Sequence, residues 1–323
     1  MTTATVPAPQ PAESPENIEP TKRSWTFSGL AFFACLMAVA GLCVGLYPST
    51  AAWFSAREQA KLVDMYDSKI ENATPLSADQ LLELAHRYND RLESGAALDA
   101  WSNVPRGTGD EVADGMAYKD QLRVDGTEVM ARIRIPSIDV DLPIYHGTDD
   151  DTLKKGAGHL EGTSLPVGGP GTHSVITAHR GLADATMFTN LNKVGVRDRF
   201  TIAVSGEVLT YEVRETRVVN PEDTRFLQAK DDRDLVTLVT CTPLGINTHR
   251  ILVTAERVTP TPKADIDAAR AAAHVGFPWW AVIFASGVTL AGLLFWRAGY
   301  LMPPKKRDED DPSEEVDDDN ARA

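Results

Sequence analysis

Two uninterrupted apolar runs bracket this chain and decide what the rest of it can be. Residues 29–47 are 19 positions without a charge, and residues 277–296 are another 20. At about 1.5 Å of rise per residue, either run as a helix covers a hydrocarbon layer of roughly 30 Å. Trp279, Trp280 and Trp296 stand near the ends of the second run, where indoles favour the membrane interface. Lys22 and Arg23 precede the first run, and Arg297, Lys305, Lys306 and Arg307 follow the second. By the positive-inside rule both termini are expected in the cytoplasm, so residues 48–276 lie outside the cell membrane. A cleaved secretory signal, cut near Ser49-Thr50-Ala51, is the competing reading of the first run. Signal h-regions span only about 7 to 15 residues, so an uncleaved anchor is the expectation.

The segments beyond these runs carry little fold. Residues 1–24 are rich in Pro, Glu and Thr and bury too little apolar surface to offset chain entropy. Residues 297–323 are basic, then acidic, with nine carboxylates between positions 308 and 319. Much of the formal charge of -14 sits in that tail, and no basic stripe points to a nucleic acid partner. Cys35 and Cys43 fall inside the first run, which leaves Cys241 alone in the outer region and excludes a disulfide framework there. An unpaired thiol in an oxidising compartment is a liability unless it is buried or used.

Residues 48–93 read as helical. A first stretch carries Phe54, Leu62, Val63, Met65 and Tyr66, Thr74-Pro75 interrupts it, and Ser77-x-x-Gln80 forms a capping box that starts a second helix. A stalk or packing pair is the expected role. Residues 94–126 have several glycines and little periodicity, and a loop of that length inside a compact domain is typically a lid or a binding segment. From position 127 to 259 the period changes to two. Strands are expected in two pieces of ARIRIPSIDVDLPIYHG, then at 173–178, 199–204, 208–219, 235–241 and 249–258, with glycine-rich turns between. Many short strands with regular turns mean a mainly β barrel or sandwich. Residues 260–276 form a linker or short helix leading to the second run.

Residues 237–253, TLVTCTPLGINTHRILV, hold the chemistry. If the flanking strands pair as a hairpin, Cys241 and Arg250 sit near opposite each other, with Cβ atoms roughly 5 Å apart. A guanidinium keeps its charge and stabilises a thiolate. A nucleophilic cysteine also needs a base, most often histidine. His86 lies on a helix, His274 abuts the second run, and His249 points away if Arg250 faces Cys241. His146, His159, His173 and His179 remain, and spacing does not choose among them. His179 has the best local setting, at the end of a strand and before a loop in ITAHRGL. A small buried cysteine, a surface arginine and a structural histidine are the alternatives for the three residues.

TLVTCTPLGINTHRILV resembles the TLxTCTPxGxNxxRLLV signature of sortases, with Cys241 at the nucleophile and Arg250 at the arginine nine positions later. ITAHRGL, with its histidine 62 residues before Cys241, resembles the family's histidine motif and assigns that role to His179. The similarity runs from about position 133 to 258. The second apolar run, HRGL and CTPxGxN resemble class C, the pilus-assembling sortases of Gram-positive bacteria. The resemblance implies a closed eight-stranded β-barrel with N-terminal helices, a lid loop and two flanking transmembrane helices. It also implies a lid whose aspartate bonds the arginine and whose aromatic covers the cysteine. Leu98-Asp99-Ala100-Trp101 supplies Asp99 and Trp101, with Ala100 where the family usually has proline.

The resemblance implies cleavage of an LPxTG-like sorting signal between Thr and Gly, a Cys241 thioacyl intermediate, and transfer to an amine. For class C that amine is a pilin lysine. An anchoring sortase uses a peptidoglycan amine, and a hydrolytic cysteine peptidase uses water. A non-catalytic membrane-tethered β-barrel module is the reading from a different class. The expected partners are pilin or surface-protein precursors and membrane lipid. No cofactor and no metal are expected, since Asp149-Asp150-Asp151 lacks an EF-hand spacing.

Overall fold

The computed structural model describes residues 24–72, 75–92, 117–229, 232–273 and 275–301. The Pro/Glu/Thr-rich N-terminus, the basic and acidic tail, His274 and the lid loop with Asp99 and Trp101 lie outside those residues. The described chain divides into two compact units, one built from the residues up to Val44 with those from Ile283 onward, the other from Gly45–Val282.

Two helices among the described residues are long and apolar enough to cross a membrane. The first, α1 (Gly29–Asn72), is capped by the Ser28 hydroxyl, which accepts from the Ala31 N–H at 3.2 Å. It carries the first apolar run and then continues through Pro48 for six more turns. The sequence reading split these into two elements. An interior proline costs one hydrogen bond and crowds the carbonyl four residues earlier, but the alanine-rich turns after it, at Ala51, Ala52 and Ala56, are good helix formers. The other, α5, spans Trp279–Leu301. Within the unit they share, the Cys35 thiol donates to Ala291 O at 3.3 Å, and Trp25, Phe27 and Phe32 pack around Phe295.

The Gly45–Val282 unit holds a closed barrel. Its strands are β1 (Val129–Ile135), β2 (Val140–His146), β3 (Ala157–His159), β4 (Thr172–Thr177), β5 (Arg199–Val204), β6 (Glu207–Val219), β7 (Asp234–Thr242) and β8 (His249–Val258). They close in the order β1-β2-β3-β4-β7-β8-β6-β5. Pairs β2/β3 and β4/β7 are parallel, and the others are antiparallel. Seven of the eight strands follow from the period-two pattern. β3 does not, because AGH is too short to show a period, and only pairing between β2 and β4 makes it a strand.

Alternate residues of each strand fill the barrel, among them Ile133, Ile144, Ile176, Phe200, Ile202, Val236, Leu238 and Val253. Helix α2 (Pro75–Arg91) adds Leu82, Ala85 and Tyr88 to the same core, so it packs on the barrel rather than standing off as a stalk. It starts two residues before Ser77, with proline in its first turn, where a missing N–H costs nothing. A smaller cluster of Leu160, Val175, Leu227, Val239 and Leu252 covers the opposite face of β4, β7 and β8. A short helix, α4 (Lys263–Arg270), lies within the stretch read as a linker or short helix.

Arg132 of β1 fastens these parts together. Its side chain is 1% exposed, and its guanidinium makes five hydrogen bonds. Nε and Nη2 meet both oxygens of Asp141 on β2 at 2.7 Å, and Nη1 meets Asp67 of α1 at 2.7 Å. The remaining two donors reach Ala269 O and Ala271 O, at the end of α4. All five donors are thereby satisfied, which is what a buried guanidinium requires.

Candidate active site

The β7–β8 hairpin sets the first half of the site. Leu238 pairs with Val253 and Val239 with Leu252, so by strand alternation Cys241 pairs with Arg250 on the face opposite the barrel core. Cys241 is a free thiol, half-buried at the last turn of β7. Pro243 follows β7, and Gly245 and Asn247 turn the chain with positive φ. Arg250 is anchored to that turn, its Nη1 donating to Asn247 O at 2.9 Å and His249 O at 3.1 Å. His249 pairs with Thr242, on the strand face opposite Arg250 by alternation, and is exposed.

The parallel β4–β7 pair sets the other half. Its register matches Val175 with Thr237 and Thr177 with Val239. Beyond the end of β4 the association continues: the Ala178 N–H donates to Val239 O at 3.2 Å, and the Thr240 hydroxyl donates to Ala178 O at 2.8 Å. His179 follows directly, one residue past the bonded Ala178 and so toward the end of β7 that carries Cys241. β7, which carries Cys241, therefore runs between the strand that leads into His179 and the strand that bears Arg250. The other three candidate histidines are occupied in the barrel wall. His159 and His173 are buried, with His173 bonded to Thr237 and Gln228 O. His146 bonds Gln121 O at 2.8 Å, and burial lowers its pKa.

His179 itself is 20% exposed and lies with Nε2 3.5 Å from Asp150 Oδ1. Asp150 begins α3 (Asp150–Lys155), which Asp149 caps by accepting from the Thr152 N–H at 2.9 Å. Lys154, with a smaller share from His179, holds the Asp150 carboxyl below the usual range. Sequence reasoning treated the acidic triplet only as a failed metal loop; its cap spacing, Asp149-x-x-Thr152, was the available signal for a helix there. Arg180 also escaped notice. Its Nη1 donates to the Thr242 hydroxyl at 2.8 Å and its Nε to Thr189 O at 3.1 Å.

A free thiol with a guanidinium on its cross-strand partner suits nucleophilic chemistry, because a nearby cation favours the thiolate. The sortase domain model matches residues 133–258, from within β1 to the end of β8. Sortase D of Bacillus subtilis is 30% identical over 130 residues, 39% of this chain and 63% of that protein. The chain thus spans less than two thirds of that curated relative. Sortase C-1 of Actinomyces oris superposes with a TM-score of 0.51 at 52% identity, over 56% of this chain and 98% of that one. Sortase C of Streptococcus pneumoniae does so with a TM-score of 0.56 at 36% identity, over 62% and 98% respectively. A barrel of this strand order, with these residues at the ends of β4, β7 and β8 and class C sortases as structural neighbours, belongs to the sortase family.

Proposed function

We propose that this chain is a membrane-anchored cysteine transpeptidase that cleaves an LPxTG-like sorting signal between Thr and Gly and passes the acyl group to a pilin lysine. The observation that carries the reading is the half-buried Cys241 thiol cross-strand from Arg250, on a strand whose other neighbour, β4, leads into His179.

In this reading the Cys241 thiolate attacks the threonine carbonyl carbon, and the electron pair moves to oxygen. Arg250 stabilises that oxyanion or holds the substrate backbone beside it, a role typically worth about 3 kcal/mol. The intermediate collapses by breaking the Thr–Gly C–N bond, and His179 as imidazolium protonates the departing glycine amine. A thioester remains on Cys241. The lysine amine then loses a proton to His179, attacks the thioester carbon and expels the thiolate, leaving an amide bond.

The lysine acceptor is favoured by the neighbours. The Streptococcus pneumoniae enzyme was described in terms of catalysis and pilin substrate specificity. Both termini cytoplasmic, as the flanking basic residues imply, would hold the site in the plane where membrane-tethered substrates wait, raising effective concentration.

Incubating the detergent-solubilised full chain with an LPxTG peptide and a lysine-bearing pilin fragment tests the reading. An acyl adduct on Cys241 and an amide product on the lysine are expected. Transfer only to peptidoglycan-type amines would identify an anchoring sortase, transfer to water alone a peptidase, and absence of any adduct would remove the transpeptidase.

A further inference from the structure

The residues that flank the thiol and the imidazole are themselves bonded to each other. Arg180 follows His179, Thr242 follows Cys241, and the Arg180 guanidinium donates to the Thr242 hydroxyl at 2.8 Å. The same guanidinium donates through Nε to Thr189 O, while the Thr189 hydroxyl accepts from the Gly181 N–H at 3.0 Å. The Phe188 N–H donates to His179 O at 3.0 Å. The next pair outward is also matched. Gly181 has φ +77, and a Cβ there would lie 2.9 Å from Leu244 Cγ, so the β7–β8 turn packs against the glycine itself.

We infer that Arg180 is a positioning residue, whose bond to Thr242 fixes the distance between the His179 imidazole and the Cys241 sulfur. The inference rests on the acyl-transfer reading of this site and adds a residue to it. His179 stands beyond the last β4 ladder residue, with Ala178 before it bonded to Val239 and Thr240 of β7 and Arg180 after it bonded to Thr242. Its backbone is held by the Phe188 bond, and its lateral place relative to β7 by Arg180. A tether that spans from the loop to the strand is what keeps a proton donor at working distance, because a displacement of about 1 Å can cost roughly 100-fold in rate. Lysine cannot replace it, since one ammonium does not reach Thr242 and Thr189 O in the planar fork that a guanidinium offers. The imidazole also has Asp150 of α3 at 3.5 Å, itself paired with Lys154. Neither of these bridges the loop to β7.

The test compares Arg180→Gln, Thr242→Val, Thr242→Ser and the Arg180→Gln/Thr242→Val double variant in the full chain. Thioacyl formation with an LPxTG peptide and alkylation of the Cys241-bearing peptide by iodoacetamide are followed across pH, alongside thermal midpoints. Arg180→Gln is expected to lower kcat roughly 10-fold to 100-fold with KM within about twofold. Thr242→Val should lower kcat in the same direction, Thr242→Ser should restore it, and the double variant should be no slower than Arg180→Gln alone. Alkylation near neutral pH should fall in the same order, because a displaced imidazolium no longer supports the thiolate. Independent, multiplicative losses, or failure of serine to rescue, would overturn the inference. If the wild-type chain forms no thioacyl adduct, the functional reading fails separately, and the alkylation series still decides whether Arg180 and Thr242 act as one unit.

Discussion

Cys241 and Arg250 are direct cross-strand partners in the β7–β8 ladder, on the face turned away from the barrel core. On the other flank of β7 lies β4, in parallel register, and His179 follows its end. Cys241 is partly exposed rather than sealed inside the barrel.

Cys241→Ala is expected to abolish the acyl adduct in mass spectra of the peptide-treated chain. Because the side chain is half-exposed and contributes to neither apolar cluster, stability should change by no more than about 0.5 kcal/mol. A retained adduct would place the nucleophile elsewhere.

Arg250→Lys should leave the fold intact and lower kcat by about 100-fold to 1,000-fold, the typical loss of an oxyanion donor. The guanidinium is tethered to the Asn247 and His249 carbonyls with donors to spare, and an ammonium cannot hold both and still present a planar fork. Steady-state kinetics with the LPxTG peptide decide the matter, and activity within threefold of wild type would exclude the assigned role.

Arg132→Met should destabilise the outer unit by about 3 to 5 kcal/mol, the cost of removing one partner from a buried ion cluster. It strands Asp67 and Asp141 together with two carbonyls at the end of α4. Chemical denaturation measures the loss, and a midpoint unchanged from wild type would mean the cluster holds nothing together.

Acid should weaken the fold through His159. Its Nε2 lies 2.9 Å from Ser164 O and its Nδ1 2.9 Å from the Tyr118 hydroxyl, and burial lowers its pKa from 6.5 to about 4. The unfolded chain takes up the proton below about pH 6.5 and the folded chain does not, so stability falls between pH 6.5 and 4, by roughly 3 kcal/mol at 1.36 kcal/mol per pH unit. Burial raises the pKa of Asp67 and Asp234, which oppose this by favouring the folded state as pH falls. His159→Gln should flatten the decline in denaturation midpoint between pH 7 and 4; a slope equal to that of wild type would refute the assignment.

Asp99→Gly combined with Trp101→Gly should speed cleavage of the LPxTG peptide several-fold if these residues cover the site as a lid. An unchanged rate would make residues 94–126 a connector. Both residues lie outside the described part of the chain, so kinetics carry this test alone.

The sequence by itself determined the elements whose signals are local. Alternation placed seven strands, charge-free length marked two helices able to cross a membrane, and the offset of nine between Cys241 and Arg250 already matched a hairpin that pairs them. Tertiary structure decided what depends on partners distant in sequence. β3 is a strand only because β2 and β4 hold its three residues, and His146, His159 and His173 are tied into the barrel wall by hydrogen bonds to residues distant in sequence, whereas His179 follows the end of β4, the strand beside β7. Arg180 and Arg132 look alike as isolated arginines, yet one bonds across to the end of β7 and the other sits beneath two carboxylates. Local patterns record which face a residue occupies within its own element. Which elements become neighbours is set by closure of the barrel, where burial and hydrogen bonding must be satisfied for all strands at once.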